Sequence, residues 1–82
     1  MYRAKIIVTL RKSILDPQGK AVHHALESLN MKSVHDVRIG KFIEVNMDTD
    51  SKEEAERLAD QACKKLLANP VMEDYVFSVE KI

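Results

Sequence analysis

Eighty-two residues are enough for one domain and too few for a second core. Thirteen basic and thirteen acidic side chains cancel, which argues against the Lys/Arg excess of a nucleic-acid footprint. Cys63 is the only cysteine, so no internal disulfide is available, and association with other protein chains is the expected source of extra stability for so small a domain. Apolar runs reach only three residues, as in Ile6-Ile7-Val8, far short of a membrane span. The chain enters a strand-like segment directly after Met1, and with one unpaired cysteine the expected setting is a reducing cytoplasm with no membrane partner.

The first element is "YRAKIIVTLR", residues 2–11. Ala4, Ile6, Val8 and Leu10 alternate with Arg3, Lys5, Thr9 and Arg11, the pattern of a half-buried strand with Ile7 an apolar intruder on the polar face. From Pro17 the period changes. Val22, Ala25, Leu26 and Leu29 follow helical spacing up to Asn30, with Asp16 as N-cap and Pro17 in the first position.

In "VHDVRIGKFIEVNMD", residues 34–48, Val37, Ile39, Ile43, Val45 and Met47 occupy odd positions. A three-residue loop at Gly40-Lys41-Phe42 keeps them on one face, whereas a two-residue turn does not. The expectation is a hairpin whose Gly40 supplies unusual backbone dihedrals, with one long bent strand as the alternative. Asp50 and Glu53 resemble a capping box for a second helix. Its apolar stripe is Ala55, Leu58, Ala59, Ala62 and Leu66, and Asn69-Pro70 ends it. Tyr75, Phe77 and Val79 then mark a closing strand. The order β-α-β-β-α-β predicts a single α+β domain over 1–82: a two-layer sandwich, mainly antiparallel, with two helices on one sheet face. Ile7 interrupts an otherwise polar face of the first strand, Met72, Val76 and Ile82 do the same on the last, and these four are the self-association candidates. They point to a homodimer that can pair again into a tetramer.

The apparent chemistry dissolves on inspection. Gly19-Lys20 lacks the remaining glycine and the Ser/Thr of a phosphate loop. His23 and His24 diverge by about 100° on a helix and cannot share a metal ion. Cys63 sits beside the apolar stripe with no base in a recognisable relation to it, so it reads as a packing residue. Nothing predicts a catalytic residue, a bound cofactor or a metal. The same element order hosts RNA-binding and metal-chaperone domains. Those need sheet aromatics with positive charge, or paired cysteines, and this chain has neither set.

Four strings in register carry a resemblance: "LDPQGKAV" (15–22), "DVRIGK" (36–41), "LLANPV" (66–71) and "EDY" (73–75). Together they resemble the PurS family, the small subunit of phosphoribosylformylglycinamidine synthase in purine biosynthesis, across Lys5 to Glu80. The resemblance implies a dimeric, non-catalytic bridge in a glutamine-using carbon–nitrogen ligase complex. Such a bridge helps ammonia pass from a glutaminase subunit to a large synthetase subunit, where ATP and magnesium are bound. Five polar residues of the first two strings, Asp16, Gln18, Lys20, Arg38 and Lys41, become candidates for partner docking. The alternative from another class is a stand-alone regulatory domain of the ACT type that binds a small metabolite. A self-contained enzyme is a third reading without residues to support it.

Overall fold

The computed structural model describes residues 1–82. It contains β1 (Tyr2–Leu10), α1 (Pro17–Ser28), β2 (Gly40–Met47), α2 (Lys52–Ala62) with a widened last turn (Cys63–Leu67), and β3 (Glu73–Lys81). The strands form one antiparallel sheet in the order β2-β1-β3. The α+β class read from the sequence is the class observed, but only α2 packs on the sheet; α1, expected on the same face, makes no comparable contact with any strand.

Strand β1 is central because its alternation is the most complete. Ala4, Ile6 and Val8 are fully buried on the inner face, and Ile6 stands between Ile43 of β2 and Phe77 of β3. Burying a side chain such as Ile6 or Val8 contributes about 1.5–3 kcal/mol. Over this face lies α2, whose inward residues are small: Ala55, Ala59 and Cys63, all buried. Small side chains let the helix backbone come close to β1 and β3, the two strands it packs against.

Three further expectations need correction. Residues 34–39 form no strand, so the expected hairpin is absent and the sheet has three strands. Their backbone groups are claimed elsewhere: the Ile39 N–H donates to Asp16 Oδ2 at 2.7 Å, and Val34 C=O pairs with His23 Nε2 at 2.9 Å. Gly40 has no positive φ. It begins β2, and a Cβ there would stand 2.7 Å from the Val8 carbonyl oxygen, so glycine is required for space.

The second correction is the cap of α2, which is Ser51, accepting from Glu54 N–H at 3.2 Å. The start therefore falls one residue later than the Asp50–Glu53 reading. Thr49 Oγ1 accepts from the Ser51 N–H at 3.3 Å and sets the turn before it. The third concerns Leu66. Helix α2 ends in a π turn closed by Ala68 N–H donating to the Cys63 carbonyl at 3.0 Å. The wider turn takes Leu66 off the apolar stripe, leaving it 83% exposed, while Leu67 joins the core.

Candidate functional site

The end of the molecule where α1 begins is organised by one carboxylate. Asp16 caps α1, accepting from Gly19 N–H at 2.9 Å with one oxygen and from Ile39 N–H at 2.7 Å with the other. The Ile39 bond, then the Gly19 bond, lower its pKa below the ordinary aspartate value against an opposing desolvation, and the nearby Arg38 charge adds to the lowering. Gly19 is needed there because the carbonyl of Val37 crosses the first turn of α1 where a Cβ would stand.

Arg38 fastens the same corner from outside. One guanidinium nitrogen donates to the carbonyls of Arg11 at 2.7 Å, Leu10 at 3.1 Å and Ile14 at 3.4 Å. The loop after β1 and the segment before β2 are thus held together beside the helix start. Two adjoining hollows result, and Asp16 belongs to both. The larger, about 340 Å³, is lined by Lys12, Ser13, Ile14, Leu15, Asp16, Lys20, Asp36, Val37 and Arg38. The smaller, about 190 Å³, includes Asp16, Gln18, Ile39, Gly40, Lys41 and Glu73. Lys41 pairs with Glu73 at 3.6 Å across it.

All five residues singled out in strings 15–22 and 36–41 therefore line these two hollows. Lys12, Asp36 and Glu73 complete the charged rim. Asp36 and Glu73 stand in the quoted strings but are not singled out there, since only folding brings the 11–16 loop, the 34–39 segment and the start of β3 to one end. No histidine lines either hollow. His23 is engaged with Val34, and Cys63 is buried with its thiol pushed up, by desolvation first and by Asp60 second. A protonated, enclosed thiol is a packing group and a poor nucleophile.

The self-association candidates divide. Ile7 and Val76 are direct cross-strand partners on the outer sheet face, 48% and 65% exposed. Phe42, opposite Ile7 on β2, extends the pair into a row across all three strands. Placing Phe42 in a hairpin loop concealed it; a strand starting at Gly40 puts it opposite in sense to Ile43. Met72 and Ile82 are exposed but flank the two ends of β3, away from this row.

A mixed-charge polar end and an apolar row across the outer face of a three-stranded sheet define an α+β module built for contact with other chains. Residues 3–81 match the family model described as "PurS: Phosphoribosylformylglycinamidine (FGAM) synthase". The chain belongs to the PurS family, whose members are subunits of FGAM synthase in purine biosynthesis. It is 48% identical over 82 residues to the phosphoribosylformylglycinamidine synthase subunit PurS of Bacillus subtilis, covering 100% of this chain and 96% of that one. A crystal structure of Methanocaldococcus jannaschii PurS, one of the subunits of formylglycinamide ribonucleotide amidotransferase, superposes with a TM-score of 0.89 at 40% identity over 100% and 99% of the two chains. A chain in the structure of PurLQS from Thermotoga maritima gives 0.85 at 30% identity over 98% and 99%.

Proposed function

We propose that this chain is the non-catalytic bridging subunit of a phosphoribosylformylglycinamidine synthase, working in the cytoplasm as a homodimer that can pair into a tetramer. In this reading it holds a glutaminase subunit against a large synthetase subunit so that ammonia passes between them. ATP and magnesium belong to the synthetase, and this chain binds no cofactor. The polar end carries the reading: Asp16, Gln18, Lys20, Arg38 and Lys41 share two adjoining hollows, with charges of both signs suited to fixing the register of a charged partner surface. The outer-face row Ile7–Phe42–Val76 supports self-association, since burying it against a second copy would add about 25 cal/mol per Å² of apolar area removed from water, before association costs.

The test is reconstitution with the glutaminase and synthetase subunits. Lys20→Glu with Lys41→Glu should weaken co-elution and lower glutamine-dependent turnover by tenfold or more, an effect of about 1.4 kcal/mol. Turnover driven by added ammonia should persist. Full glutamine-dependent activity in that variant, or glutamine hydrolysis by the pure chain that Cys63→Ala abolishes, would overturn the reading.

A further inference from the structure

The last turn of α2 keeps a leucine out of the core. In an unbroken α-helix Leu66 would continue the stripe of Ala55, Ala59 and Ala62, but the π turn over Cys63–Leu67 turns it outward. Leu66 is 83% exposed, and Val71, five residues on, is 74% exposed. No other large aliphatic or Phe side chain in the molecule is as open, and Met72 beside Val71 is exposed too. Widened turns of this kind occur frequently at functional sites.

A slack loop could fold these side chains away; this one is fastened. Asn69 Oδ1 accepts from Val71 N–H at 2.9 Å and from Met72 N–H at 3.4 Å. Asn69 N–H donates to Glu73 Oε1 at 2.8 Å, and Glu73 N–H donates to the Asn69 carbonyl at 2.8 Å. From the end of β1, Arg11 donates its backbone N–H to the Met72 carbonyl at 2.8 Å and a guanidinium N–H to the Pro70 carbonyl at 2.7 Å. A loop held in this way has already given up the conformational freedom that binding would otherwise remove.

Charge states what the loop fits. Five charged residues lie between Asp60 and Asp74. Lys64 pairs with Asp60, Glu73 with Lys41 and Asp74 with Arg11, which leaves exposed Lys65 without an ion partner. We propose that Leu66, Val71 and Met72 form a docking knob for an apolar depression with a carboxylate at its rim, on the subunit that also meets the polar end. Loop and hollows belong to one rigid corner. Glu73 lines the smaller hollow, and Arg11, which holds Pro70 and Met72, takes Arg38 on its carbonyl. A second copy does not supply the match. The one mostly apolar hollow of this chain, between Ile7, Phe42 and Val76, carries Lys5 as its only charged residue, and like charges would meet there. The knob rests on the bridging reading and deepens it.

The test reconstitutes the complex from the full chain and purified glutaminase and synthetase subunits. Leu66→Ser with Val71→Ser should raise the concentration of this chain needed for half-maximal glutamine-dependent turnover by about tenfold or more. Its sedimentation mass and thermal midpoint alone should not change. Lys65→Glu should raise that concentration less, by an amount that fades with added salt. Photo-reactive groups placed at Val71 and, separately, at Lys20 should mark the same partner subunit. An unchanged half-maximal concentration for the serine variant, a fall in its own assembled mass, an indifferent Lys65→Glu, or marking of two different subunits overturns the knob while wild-type stimulation keeps the bridging reading. A wild-type chain that stimulates no glutamine-dependent turnover overturns both.

Discussion

The two helices of this chain have similar lengths and opposite situations. The inward face of α2 is made of Ala55, Ala59 and Cys63, all enclosed by β1 and β3. The stripe of α1 is made of larger residues, Val22, Leu26 and Leu29, and is largely open. Hydrophobic size therefore does not decide which helix is buried here. What decides it is closeness to the sheet: small residues let α2 settle on the central strand, while the polar corner at Asp16 holds α1 away. In α2 the tertiary contacts stabilise the helix; in α1 the hydrogen bonds fix its direction.

This contrast can be broken by substitutions on the two sides. Ile6→Ala, beneath α2, should have the largest effect, costing about 2–5 kcal/mol in urea unfolding. A smaller loss would mean that the sheet collapses readily around the missing side chain. Ala59→Leu should cost about 1–3 kcal/mol, because the helix would have to lift off β1 to admit the added bulk. Gly19→Ala should destabilise by a similar amount, about 1–3 kcal/mol, since its Cβ would displace the Val37 carbonyl. Leu29→Ala should be the mildest, within about 0.5 kcal/mol in dilute protein where chains are separate. Its effect should instead show in the concentration dependence of the thermal midpoint.

Between these lies a pH effect that belongs to the α2 half alone. Tyr75 donates to Asp60 Oδ1 at 2.6 Å, and Lys64 pairs with Asp60 Oδ2 at 2.9 Å. The Tyr75 bond, then the Lys64 bond, hold the Asp60 pKa below the aspartate value of 3.8, and the same carboxylate pushes Tyr75 up to about 12 from 10.0. The folded state thus binds Tyr75's proton more tightly than the unfolded chain does. That stability is complete below pH 10 and is lost as pH rises towards 12. For Asp60 the folded state binds its proton less tightly, so its contribution is present above the ordinary aspartate range and is lost as pH falls through the lowered value. Tyr75→Phe should flatten the alkaline slope of stability between pH 10 and 12 and reduce the acid one, as read by unfolding at a series of pH values. Cys63, raised by desolvation, adds an alkaline loss starting near 9.0 that this variant leaves in place.

Much of the fold was legible because β1, α1 and β3 carry undisturbed periods of 2 or 3.6. The cap Asp16, the helix start at Pro17 and the left-handed Asn30 just past the end of α1, with φ of 66°, all follow from residue chemistry. Segment 34–39 was misread because Val37 and Ile39 continue the alternation of β2 while their backbone is held by α1 and its cap, a tertiary effect no period reports. Leu66 was misread because a π turn changes the rotation per residue and leaves no composition signal. The docking candidates were legible as strings, but their meeting around Asp16 depends on Arg38 reaching three carbonyls at the end of β1 and beyond. The outer-face row was half legible. Ile7 and Val76 stood out as intruders, and Phe42 was lost with the hairpin that did not form.

The placement of β1 between β2 and β3 has a consequence for how the chain is made. Tyr2 pairs with Lys81, and Ile82 N–H donates to the Met1 carbonyl at 3.0 Å, so the first and last residues are neighbours. Strand β1 is made before both of its partners, β2 and β3. One of its two hydrogen-bonding edges has no mate until β3 has emerged. Closure of the sheet therefore waits for β3, and a chain truncated before β3 would leave Ile6 and Val8 without the strand that carries Tyr75, Phe77 and Val79.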